Sequence, residues 1–191
     1  MDRDQALAMV REHIAADSLV NHMLAVEAAM RAYALDFGGD ADEWGLAGLL
    51  HDYDWEIHPT LEEHPQAGAS LLRARGTPES VVRCILSHAE HTGVPRSTPM
   101  EKALYACDEI TGLITAVALV RPSRSLHDLT TRSVRKKWSD LRFAAAIDRA
   151  QIERAAADLG VELWAHVDRV IGAMRTIAPQ LGLDGAATPA P

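Results

Sequence analysis

The chain has 191 residues, 48% hydrophobic and 24% charged, the composition of an ordinary globular domain with enough apolar material for a sizeable core. Its net charge of −8 and pI near 5.5 exclude a general binder of nucleic acid or anionic membrane surface, which needs a basic face. A small-molecule partner fits better.

Ala, Leu, Met, Glu and Arg dominate, β-branched runs are short, and apolar residues recur at helical spacing, so the expected fold is all-α. The N-terminus "MDRDQALAMVREH" is too charged for a signal peptide and opens a helix over 3–16. A second helix, 19–37, carries "SLVNHMLAVEAAMRAY"; at 3.6 residues per turn Leu19, His22, Val26, Ala29 and Tyr33 share one stripe, which puts the imidazole on the buried face. A core histidine bonded to a carbonyl is the alternative reading of His22 taken alone.

"FGGD" at 37–40 breaks the chain before an apolar helix at 41–51, "EWGLAGLLHD", which ends on the doublet His51-Asp52. Adjacent side chains leaving a helix end beside a packed surface can grip one ion from two directions. The stretch "GLLHDYDWEIHPTLEEHPQAG" then adds His58 and His64, so the His-Asp doublet and two further histidines fall within 21 residues. Asp54 and Glu56, just past the doublet, are candidates for a general acid or base, against the alternative of solvated loop carboxylates.

Helices follow at 65–75, 78–90 and 99–119, with Thr77-Pro78-Glu79 and Thr98-Pro99 reading as N-caps before a first-turn proline. His88 and His91, three apart near a helix end, either look into one cavity or form a cationic last turn. Asp108 lies in "EKALYACDEITGLITAVALV", where Tyr105, Gly112 and Thr115 are its helical neighbours and no Lys or Arg compensates it. Burying that carboxylate requires a cation from elsewhere; the alternative is a solvent-facing Asp108 beside Glu101 and Glu109.

Beyond residue 120 helices are expected at 131–137, 143–158 and 161–178, and seven of the 19 Lys/Arg fall between Arg121 and Arg142. Arg121, Arg135 and Lys136 are candidates for gripping phosphate, since guanidinium forks match its geometry; a solvated helix face is the alternative. Expected is one domain, 1–178, with a core at about 15–120 and a helical lobe at about 121–178. The tail 179–191, ending "LDGAATPAP", is expected to be disordered. Cys84 and Cys107 are isolated in apolar helices, which suits free thiols in the cytoplasm, and no run reaches the roughly 18 apolar residues of a membrane span.

In order, His22 on its helix, His51-Asp52, His64 in an H-P-x-x-G context, His88 and Asp108 in "A-x-D-x-x-T-G-L" resemble the HD-domain superfamily of metal-dependent phosphohydrolases. "NHMLAVEAAMRAYA", "EWGLAGLLHDYDWE", "KALYACDEITGLITAVALVRPS" and "SVRKKW" look like a branch of small bacterial HDIG-type proteins, over roughly 15 to 178. The resemblance implies a helical HD fold in which His22, His51, Asp52 and Asp108 ligate a divalent metal, while His64 and His88 line the phosphate site or hold a second ion. His58 and His91 stand where that branch usually has other residues. Tyr53-Asp54 follows the doublet in place of Ile-Gly, and no Gly-Tyr-Pro signature is present, so a cyclic-dinucleotide activity is not expected.

An imidazole-rich site favours Mn, Fe, Co, Ni or Zn over Mg, which prefers oxygen ligands and keeps its waters. The expected activity is hydrolysis of a nucleotide or other small phosphate ester by an activated water, in a chain that could dimerise. An HD-type di-iron oxygenase and a non-catalytic metal-dependent sensor are the alternatives.

Overall fold

A computed structural model describes residues 1–185 and is helical throughout, with nine α-helices and no strand among those residues. The chain divides into two compact units, Met1–Tyr105 and the part from Ala106 onward. The division falls inside one continuous helix rather than near residue 120, where the change in charge had suggested a lobe.

The first unit holds α1 (Arg3–His13), α2 (Asp17–Phe37), α3 (Ala41–Leu50), α4 (Gln66–Ala74), α5 (Glu79–His88), a 3₁₀ turn (Glu90–Thr92) and the start of α6 (Pro99–Leu119). Gly38 ends α2 in the left-handed region at φ 68°, and Asp40 caps α3 by accepting from the amides of Asp42 and Glu43. α2 and α3 pack closely because Gly48 has no side chain: a Cβ there would lie 2.8 Å from Glu27 N and 2.9 Å from its Cα. Beneath this crossing the buried Glu27 accepts from Arg3 at 2.6 and 2.9 Å and from Arg31 at 2.9 Å, tying α1 to α2 with its charge fully paired.

Proline placement departs from expectation at one of two sites. At α6 the reading holds: Glu101 N donates to Thr98 Oγ1 while Thr98 N donates back to Glu101, a reciprocal cap before Pro99. At α5, Pro78 is itself the cap residue, with extended backbone (ψ 140°), and the helix begins at Glu79.

The second unit contains the rest of α6, α7 (Thr131–Trp138), α8 (Arg149–Leu159) and α9 (Leu163–Arg175). His166 on α9 is fully buried and donates from Nε2 to Ala106 O at 2.9 Å, while Arg175 donates to the carbonyls of Leu126 and Leu129. Helix α8 starts six residues later than its periodicity predicts. Ala144 is left-handed (φ 47°), and the Arg149 guanidinium donates to the carbonyls of Phe143, Ala144 and Ile147, holding that segment as a loop. The beginning of the expected disordered tail is also ordered: Leu181 and Leu183 are buried, and Leu126 N donates to Leu183 O at 2.8 Å. Residues 186–191 of that tail lie outside the described residues. No helix among the described residues is long and apolar enough to cross a membrane.

Candidate metal centre

Four imidazoles and one carboxylate converge in the first unit. His22 comes from the second turn of α2, and His51 caps the C-terminus of α3, so the doublet leaves the helix just where the chain turns. His64 sits before the start of α4, and His88 is the last residue of α5. His51, His64 and His88 are buried, while Asp52 keeps about a fifth of its side chain exposed.

Asp52 stands between two imidazole pairs. Its Oδ2 is 3.4 Å from His51 Nε2 and 3.9 Å from His22 Nε2; its Oδ1 is 3.3 Å from His64 Nε2 and 3.6 Å from His88 Nε2. Asp52, His64 and His88 each offer a ligand atom within 4.8 Å of the others. The surrounding imidazoles set its ionisation: burial opposes the charge, but His51, His64 and His88 outweigh it and hold the carboxyl well below the ordinary range.

Three of the rings on this carboxylate are fixed from behind. His51 Nδ1 donates to Gly48 O at 2.9 Å, His88 Nδ1 to Ile85 O at 2.5 Å, and His64 Nδ1 to Asp54 Oδ1 at 2.7 Å. A carbonyl can only accept, so in the neutral rings of His51 and His88 the lone pair is on Nε2. Yet His51 Nε2 lies 3.2 Å from His22 Nε2, and His88 Nε2 lies 3.4 Å from His64 Nε2. Nitrogen lone pairs converging at that range repel unless a cation or proton lies between them. The protonation of His64 expresses the same demand: burial works against its charge, but Asp52 and Asp54 raise its pKa to about 9. The donor set therefore fits a divalent ion, with tautomers and ring orientations already set for it.

Three other expected site residues, Asp54, Glu56 and His91, lie outside the Nε2 cluster. Asp54 is fully buried on the Nδ1 side of His64, away from the Nε2 cluster, with its Oδ2 against Gly68. Its place is behind His64, not on a solvated loop and not among the inward-facing nitrogens. Glu56 accepts from the amides of Ala15 and Ala16 at 2.8 and 3.0 Å, satisfying the start of α2, where Ala16 has no capping side chain. His91 lies on the 3₁₀ turn and its Nε2 donates to His64 O at 2.8 Å, so it shares no cavity with the Nε2 atom of His88.

In the second unit, Asp108 is partly buried on α6, three residues past Tyr105, and accepts from Thr111 Oγ1 through its carbonyl. Arg121 is committed to Asp128, at 2.7 Å, and to Ser133, at 3.0 Å. Arg135 lies with its guanidinium 4.4 Å over the Trp164 ring, and Lys136 is exposed on α7. Arg135 and Lys136 thus lie on the α7 surface, the former over an aromatic ring, while Arg121 lies in the turn after α6.

Backbone carbonyls carry no residue signature, so the roles of Gly48 and Ile85 had no signal in the sequence. The Asp54–His64 pairing did have one, a carboxylate two residues past a ligand doublet.

An all-helical scaffold that directs imidazoles from several helices onto one aspartate defines a metal-binding helical domain. Residues 19–113 match the family model of the HD domain, a span that includes every histidine of the cluster, Asp52 and Asp108. The chain belongs to the HD-domain superfamily of metal-dependent phosphohydrolases over that span. No curated protein and no solved structure matches it.

Proposed function

We propose that the chain is a metal-dependent phosphohydrolase in which His22, His51, Asp52, His64 and His88 would hold one or two divalent transition ions. The observation that carries this reading is the division of Asp52: one oxygen faces His22 and His51, the other faces His64 and His88. In the proposal Asp108 supplies the remaining carboxylate of the pair that includes His22 and His51. Its place within the matched span and on an apolar, partly buried helix face supports that role.

Four imidazoles and two carboxylates form a borderline donor set that suits Mn, Fe, Co, Ni or Zn better than Mg. When bound there, such ions would supply Lewis acidity towards a phosphoryl oxygen and a water whose pKa falls towards ~7. The chain's own contribution is orientation and water exclusion. His51 and His88 are locked by Gly48 and Ile85, and Asp54 keeps His64 aimed at Asp52, so little reorganisation is required when substrate arrives. The substrate proposed is a phosphate ester of a nucleotide or another small metabolite.

Elemental analysis of protein purified without added metal or chelator, beside Asp52→Ala, tests the centre. Two transition ions per chain, lost in the variant, together with phosphate release from a panel of nucleotides and small esters, is the expected result. One ion per chain would reduce the centre to a mononuclear one, and no metal in either sample would remove the proposal. The same divided aspartate also favours a di-iron oxygenase. Two irons with oxygen consumption and no phosphate release would select that reaction instead.

A further inference from the structure

Three of the eight exposed large hydrophobic residues among those described, Trp55, Ile57 and Leu61, fall within seven consecutive positions between Asp52 and His64. The segment is held firmly. Trp55 N donates to Asp52 O, the amides of Ile57 and His58 donate to Asp54 O, and Glu56 is fastened to the start of α2. Apolar side chains kept in water on a fixed backbone point to a ligand surface.

Trp55 is the member of this group in contact with the centre. Its ring packs perpendicular to the His64 imidazole, with centroids 4.9 Å apart, and 37% of the residue remains exposed. The orientation of the indole is thus fixed by a residue that faces Asp52. We infer that Trp55 is the specificity-determining residue of the site, the platform on which the planar ring of an aromatic phosphate ester stacks while its phosphate occupies the metal centre. An indole offers a large, flat surface with little rotamer freedom to lose. This assignment rests on the phosphohydrolase reading proposed above.

The test compares adenosine 5′-monophosphate with glycerol 2-phosphate, which has no ring, on the metal-loaded wild type, Trp55→Ala and Trp55→Phe. Stacking of a base on an aromatic side chain is worth about 5- to 150-fold in affinity. Trp55→Ala should therefore lose about fivefold or more in kcat/KM for the nucleotide, mainly through KM. Trp55→Phe should recover most of it, glycerol 2-phosphate should change by less than about twofold, and metal content should not change. Equal losses on both esters, or none on either, would overturn the assignment. So would a shift from dimer to monomer in Trp55→Ala with both activities intact, which would make the patch a contact between copies of the chain. If the wild type hydrolyses neither ester, the hydrolase reading fails but fluorescence still decides on Trp55. Quenching by adenosine 5′-monophosphate in the wild type and not in Trp55→Phe supports the platform; no quenching overturns it.

Discussion

Asp54 stands behind His64, its Oδ1 2.7 Å from Nδ1, so the carboxylate two residues past Asp52 supports a ring whose other nitrogen faces Asp52. Carboxylates placed this way fix the tautomer and basicity of a ligand histidine, and losing one typically weakens metal binding about 10- to 100-fold. Asp54→Ala should show a loss of that size in calorimetric titrations of metal-free protein. Asp54→Asn, which keeps an acceptor oxygen, should lose less.

Gly68 has no room for a methyl group, because a Cβ there would collide with the Asp54 carboxylate, whose neighbour Tyr53 donates to Gly68 O at 2.5 Å. Gly68→Ala should lower stability by about 1–3 kcal/mol, the usual range for overpacking, and weaken metal binding in parallel. Denaturant titration and metal titration on one preparation would check both effects. A fully stable variant with unchanged metal binding would contradict the geometry.

Glu56 satisfies two amides at the start of α2. Replacing it by Ala should cost about 1–2 kcal/mol, in the range of a lost helix cap, with Glu56→Gln intermediate. A group acting as acid or base would show the opposite pattern. Turnover would collapse while the melting temperature stayed constant, and measuring both distinguishes the roles.

His166 carries a pH dependence of stability. Burial depresses its pKa below the ordinary 6.5, although its bond to Ala106 O works in the opposite direction. Below 6.5 the unfolded chain takes up a proton that the folded one resists, so stability present above that pH is lost as pH falls towards the folded value. The melting temperature should fall more between pH 8 and 5 in the wild type than in His166→Gln, which retains a donor but cannot titrate. Parallel curves would assign the acid sensitivity to other groups.

Most of the helices were legible because their apolar faces and breakers agree, as at Gly38 and the Thr98–Glu101 cap. The late start of α8 was not. It depends on Arg149 binding three carbonyls, and nothing in the local propensity of "FAAAID" opposes a helix. Leu181 and Leu183 read as part of a small-residue tail because their burial depends on partners such as Leu126, far away in sequence. At the site, which residues cluster could be read from residue type, since imidazole and carboxylate are costly to bury without a partner. The opposite facings of the two Asp52 oxygens could not, because they arise from four segments meeting in space. Glu56 was misread for a similar reason: its amide partners lie about 40 positions earlier.

The closeness of α2 and α3 at Gly48 makes the spacing of two histidine-bearing helices depend on a missing methyl group. His22 is carried by one helix and His51 caps the other, with their Nε2 atoms 3.2 Å apart. Any side chain at position 48 would separate the two helices and widen that gap, however well the rest of the core adapted. Residue 48 therefore acts as a gauge block: with no donor atom of its own, it sets how far apart the His22 and His51 nitrogens stand.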